Sequence, residues 1–154
     1  MTDRISRIIR ENIDNMLSPE NVLSKPFTWH DVDFIEGDIE SDRCERLIVT
    51  IKGVEIPVEL INLKAQQTLL GKINLHIFID ERFQKQGIAT KIYTSFIHQF
   101  GGIYSGFGRM MNKPAIMSIY SKLKEDPDIN VRYVRTKDNE PIGIEAFLKQ
   151  QEQP

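Results

Sequence analysis

Gln84, Gly87 and Ala89 sit where an apolar strand gives way to a helix, and their types suit one kind of chemistry. Leu75 to Asp80 reads as the end of the strand, the residues up to Gly87 as a short polar loop, and Ile88 onward as an amphipathic helix. A strand that opens through a glycine loop into a helix leaves several backbone N–H groups without partners. With the positive end of the helix dipole, those donors make a site for an anion such as a pyrophosphate. Gly87 allows backbone angles and close approaches that a Cβ forbids, and Ala89 keeps the helix mouth narrow. The candidate cradle is therefore the backbone of Gln84, Lys85, Gln86, Gly87, Ile88, Ala89 and Thr90. The same residues also fit an ordinary strand-to-helix turn in which Gly87 only relieves strain.

The elements that must position this loop follow from periodicity. Ile5, Ile8, Ile9, Ile13, Met16 and Leu17 recur three and four apart, which predicts an amphipathic helix over residues 3–17, packed on its own domain and ended by Ser18-Pro19. Residues 18–31 read as an irregular connection. Strand patterns follow at 33–39, 46–52 and 54–61, with a tight hairpin at Lys52-Gly53 and Pro57 at an edge or strand end. Residues 62–70 read as a loop or a short helix. Residues 72–80 give the strongest strand, with Ile73, Leu75, Ile77 and Ile79 on one face and His76 and Phe78 on the other.

A helix over 88–100 carries Ile88, Ile92, Phe96 and Ile97 as its apolar stripe and closes at Gly101-Gly102. A strand at 103–107 follows, and the helix between it and the 72–80 strand predicts a parallel pair. Pro114 opens another helix, reaching Lys124, with Ala115, Ile116, Ile119, Tyr120 and Leu123 as its stripe. Two strands at 130–136 and 141–148, joined by a turn at 137–140, close the fold. The expected class is α+β: a mixed, mostly antiparallel central sheet flanked by helices. One domain over 1–150 with a disordered tail at 151–154 is the simplest division of 154 residues.

Composition narrows the function classes. A net charge of −2 gives no general attraction to nucleic acid or to an anionic membrane, so neither partner is expected. The single cysteine, Cys44, cannot close an internal disulfide. No apolar run is long enough to span a bilayer, and the N-terminus does not read as a signal peptide, which points to the cytoplasm.

The spacing of Gln84, Gly87 and Ala89 between strand and helix resembles the acetyl-CoA loop of the GNAT superfamily of acyl-CoA-dependent N-acyltransferases. The resemblance covers residues 46–148 well and the N-terminal third poorly. It implies a GNAT-like fold, acetyl-CoA as co-substrate with its pyrophosphate on the loop, and Ile77, Phe78 and Ile79 beside the pantetheine arm. Asn112 and Tyr120 look like the family's second signature, which implies Asn112 on the pantetheine amides and Tyr120 protonating the departing thiolate. Asn112 stands one residue further from Tyr120 than is usual, and Lys124 or Glu125 stands where a glycine usually follows.

Direct transfer to an amine needs a base, because a protonated amine has no lone pair for attack. Many relatives carry a carboxylate on the strand before the loop, and here none precedes Asp80. His76 is the titratable group in mid-strand, with Glu55 and Glu59 on the neighbouring strand as other candidates; His30 and His98 have no supporting context. The expected activity is N-acetylation of a small-molecule or peptide amine, with a homodimer left open. The rival reading is a silent GNAT-like module that binds an acyl-CoA or a protein partner without turnover.

Overall fold

The computed structural model describes residues 18–68, 71–108 and 113–149. The helix expected over 3–17, Asn112 and the tail at 151–154 lie outside the described residues. Ser18-Pro19 starts a helix, α1 (Pro19–Ser24), where the sequence reading had it ending one. The Ser18 hydroxyl accepts the Asn21 N–H at 3.3 Å and Pro19 fills a first-turn position whose N–H has no use. A turn of 3₁₀ helix over Trp29–Asp31 then leads into the first sheet.

That sheet holds β1 (Val32–Ser41), β2 (Cys44–Ile51), β3 (Val54–Glu55), β4 (Ile61–Gln67) and β5 (Ile73–Ile79). Its order is β1-β2-β4-β5, with β3 also on β2, and every pairing is antiparallel. Lys52 and Gly53 both take left-handed angles (φ 52° and 79°), the geometry of a tight hairpin between β2 and β3. The strand expected over 54–61 stops at Glu55. The Pro57 carbonyl instead accepts the N–H groups of Leu60 (2.9 Å) and Ile61 (3.1 Å), which turns the chain. Residues 62–67, read as part of a loop or short helix, belong to a full strand, Ile61–Gln67. Ile61 and Leu63 point into the core while Lys64 and Gln66 do not, a period-two pattern.

The second sheet holds β6 (Gly102–Gly106), β7 (Ile129–Arg135) and β8 (Pro141–Leu148) in the order β6-β8-β7, again antiparallel. Two helices complete the described fold, α2 (Ile88–Phe100) and α3 (Lys113–Leu123). The protein is thus a mixed α+β fold built on antiparallel pairings. The parallel β5–β6 pair expected from the sequence does not form: the two strands lie close together in different sheets with no ladder between them. β6 takes its backbone partners from β8 instead. A Cβ on Gly143 would come within 2.5 Å of the Tyr104 ring, so the bare Gly143 lets that ring lie over β8.

One apolar core joins the two sheets through α2. Ile88, Ile92, Phe96 and Ile97 are buried along it. Hydrogen bonds fix it to the first sheet: the Ser95 hydroxyl donates to the Val32 carbonyl at 2.8 Å, and the Tyr93 hydroxyl to the Leu75 carbonyl at 3.4 Å. Glu145 on β8 ties the sheets at one end. Its side chain, 8% exposed, accepts from Lys72 just before β5 (2.5 Å) and from Arg132 on β7 (2.6 Å). Burial resists ionisation of Glu145, but those two cationic donors outweigh it and hold the carboxyl below its ordinary range.

A group whose carboxyl is depressed in the fold stabilises it above the unfolded-state pKa and loses that effect as pH falls. Glu145→Gln should therefore cost about 1.5–3 kcal/mol near neutrality, the range for a hydrogen bond to a charged group. Urea unfolding followed from pH 7 to pH 3 should show the parent losing that advantage below about pH 4–5. Equal midpoints for parent and variant at pH 7 would remove Glu145 as the tie.

Candidate functional site

β5 runs out at Ile79, and Asp80 caps the next short turn by accepting the Arg82 N–H at 3.0 Å. The Arg82 side chain bonds the same carboxylate and keeps it below its usual range. Phe83 then buries itself, and the Gln84 amide donates back to the Ile79 carbonyl at 2.8 Å. These ties turn the chain sharply. Lys85 (φ 62°) and Gly87 (φ 79°) adopt left-handed backbone, and Gly87 becomes the N-cap of α2.

A glycine N-cap offers no side chain to the first turn, and none caps it here. The first bond into the helix runs from the Lys91 N–H to the Gly87 carbonyl at 3.2 Å. The N–H groups of Ile88, Ala89 and Thr90 therefore have no acceptor within the helix, and the dipole adds positive potential at the same point. A Cβ built on Gly87 would meet nothing within 4 Å, so the space beside these amides is open.

That space is a cleft of about 580 Å³. β5 supplies Ile77, Phe78 and Ile79; the loop supplies Phe83, Gln84, Lys85 and Gly87; α2 supplies Ile88, Ala89 and Thr90. The far wall is α3, through Ala115, Ser118, Ile119 and Lys122, one helical face at spacings of three and four. Among the described residues, the charged ones in the wall are Lys85 and Lys122, with no acid. β5 pairs along one edge with β4 from Ile73 to Ile79, and its other edge has no ladder partner among the described residues. Uncapped amides, two lysines, an apolar floor and a free strand edge suit a long anionic ligand with an amide-bearing arm.

The structure gathers most, not all, of the residues singled out from sequence. Gln86 points away from the cleft, its amide donating to the Arg82 carbonyl at 3.2 Å. Tyr120 is not in the wall. It is 1% exposed, on the core side of α3, with its hydroxyl 3.0 Å from that of Ser105 on β6. The sequence stripe merged two faces of α3: Ala115 and Ile119 line the cleft, whereas Tyr120 and Leu123 enter the core. Ser118 and Lys122 went unnoticed, although they complete the cleft face at helical spacing.

His76 lies on the outer, exposed face of the first sheet, opposite Lys64 in register, with Nε2 3.1 Å from the Gln66 amide oxygen. It borders a second depression of about 420 Å³, and Ile77 and Phe78 line both hollows. Glu55 and Glu59 are exposed and line neither. His98 bonds Asp126 at 2.9 Å and stacks on Trp29 with ring centroids 4.1 Å apart, a tie between α2 and the turn after α3. Among the described residues, His98, Asp126 and Asp128 form the one cluster of metal-ligand types; the Asp128 N–H already occupies an Asp126 oxygen at 2.8 Å. No described helix is long and apolar enough to cross a membrane. Comparison with models of known families, with curated proteins and with solved structures finds no match.

Burial lifts the Tyr93 phenol to about 12. Burial likewise lifts Tyr120 well above its ordinary value, although the Ser105 hydrogen bond acts the other way. Phenols held neutral in the fold ionise near pH ~10 once unfolded, so their contribution is whole below that pH and falls as pH rises. Stability should drop above about pH 10 by roughly 1.4 kcal/mol per pH unit for each of the two. Tyr120→Phe should halve that slope in urea-unfolding series, while costing about 1 kcal/mol at pH 7 through the lost Ser105 partner. An undiminished slope would mean that the Tyr120 hydroxyl is not buried.

Proposed function

We propose that this protein is a GNAT-type N-acyltransferase that binds acetyl-CoA in the cleft between β5, α2 and α3 and passes the acetyl group directly to an amine. The observation that carries the reading is the uncapped first turn of α2, opening into a cleft whose charged wall residues are both lysines. The residues fit the co-substrate. Backbone N–H groups of Ile88, Ala89 and Thr90 take the pyrophosphate, beside the open space at Gly87. Lys85 and Lys122 offset the remaining phosphate charge.

The free edge of β5 at Ile77, Phe78 and Ile79 pairs with the amides of the pantetheine arm, as an added strand pairs with a sheet edge. Ile79, Phe83, Ile88 and Ile119 give the cleft an apolar wall that limits water around the bound ligand. The bound thioester supplies an activated acyl carbon. His76, in the outer depression that shares Ile77 and Phe78 with the cleft, takes the proton of the incoming amine. Tyr120 has a positioning role, holding α3 to β6 through Ser105, in place of the proton-donor role inferred from sequence. Its withdrawal from the wall favours one second reading, a module that binds acyl-CoA without turnover.

Calorimetric titration with acetyl-CoA tests the reading. Lys122 is exposed, so Lys122→Glu should fold as the parent does and bind roughly tenfold more weakly, from about 1–4 kcal/mol of repulsion at close range. Gly87→Glu should lose more, since it also strains a left-handed position. Parent-like affinity in both variants would move the binding site elsewhere. Thiol release with an amine separates enzyme from silent module.

A further inference from the structure

The outer depression, of about 420 Å³, shares a wall with the cleft. Ile77 and Phe78 line both, so only β5 separates them. We infer that the amine acceptor approaches through this outer depression, and that Gln66 positions His76 there so that its Nδ1 is the base. The inference rests on the acetyl-transfer reading above.

The tautomer follows from hydrogen-bond chemistry. His76 Nε2 lies 3.1 Å from Gln66 Oε1, and an amide oxygen only accepts. With the Gln66 amide oriented this way, Nε2 is the protonated nitrogen, which leaves the Nδ1 lone pair free in the neutral ring. The other charged or titratable groups around the depression are Lys64, Glu40 and Cys44, with Arg46 behind. Glu40 is committed on both oxygens, to Arg46 at 2.9 Å and to Lys64 at 2.9 Å. These contacts hold its carboxyl below the usual range, so it stays an anion already paired with two cations.

That pairing selects the acceptor. Among the described residues no free carboxylate borders the depression to hold a second ammonium, whereas Phe78, 64% exposed, offers an apolar plate at the shared wall. The site suits a primary amine on a small apolar or aromatic body, not a polyamine. In the reaction an ammonium first gives one proton to His76 Nδ1. The amine nitrogen then bonds the acyl carbon as the carbon–sulfur bond breaks. Its second proton leaves with the thiol, and His76 returns the first to water.

The test uses the full chain, acetyl-CoA, and 2-phenylethylamine against spermidine. Imidazole ¹⁵N spectra should show His76 protonated at Nε2 in the parent, a preference lost in Gln66→Leu. Acetylation of 2-phenylethylamine should exceed that of spermidine. Gln66→Leu should lower kcat roughly tenfold or more with the KM for acetyl-CoA unchanged. Gln66→Glu should shift the rising limb of the pH–rate profile upward by about one unit, because a carboxylate favours the charged ring. An Nδ1–H tautomer, or parent-like rates and profiles in both Gln66 variants, overturns the positioning role while acetyl-CoA binding still stands. Spermidine preferred, or no transfer to 2-phenylethylamine, overturns the acceptor class. Failure of the parent to bind acetyl-CoA removes the cofactor reading and this inference with it.

Discussion

The unladdered seam between β5 and β6 is the constraint on which the candidate site depends. A strand edge with unpaired N–H and C=O groups is a liability unless something covers it. Here α2 covers part of that seam, with Tyr93 bonding the Leu75 carbonyl, and Glu145 clasps Lys72 near the start of β5. Towards Ile77 and Ile79 the seam opens into the cleft instead. A continuous sheet would bury that edge and leave no place for an extended ligand arm. The backbone of β6 is meanwhile engaged on β8, where Tyr104 lies over the bare Gly143.

Electrostatics at the two ends of this seam differ in kind. At the Glu145 end a carboxylate, mostly buried, is matched by two cations, an arrangement complete in itself. At the cleft end the amides of Ile88, Ala89 and Thr90 and the ammonium groups of Lys85 and Lys122 face a space with no acid among the described residues of its wall. Positive potential without a protein anion to absorb it is what a phosphate-bearing ligand needs. The first end holds the fold together and the second is available for binding.

How much was legible in the sequence depended on how local the signal was. The loop from Gln84 to Thr90 and the bounds of α2 were readable because Gly87 and Gly101 mark both helix ends through their own backbone angles. β8 and the Lys52-Gly53 hairpin were equally local. β4 was missed because its core-facing Ile61, Leu63 and Ala65 share the segment with Gln66 and Gln67, residues at ease in helices. The sheet break was illegible, since which strand β6 pairs with is decided by contacts far away in sequence. Tyr120 was misplaced for a related reason: α3 has apolar residues on two faces, and periodicity does not say which one meets the core. The partnership of Gln66 with His76 appears only once β4 and β5 are in register.

The most direct test of the account is an amide-resolved NMR titration of the full chain with acetyl-CoA. The account predicts that the largest saturable shifts fall on the N–H groups of Gly87, Ile88, Ala89 and Thr90, with smaller ones along Ile77 to Ile79. Saturable shifts confined to other parts of the fold, or no shifts at all, would contradict it.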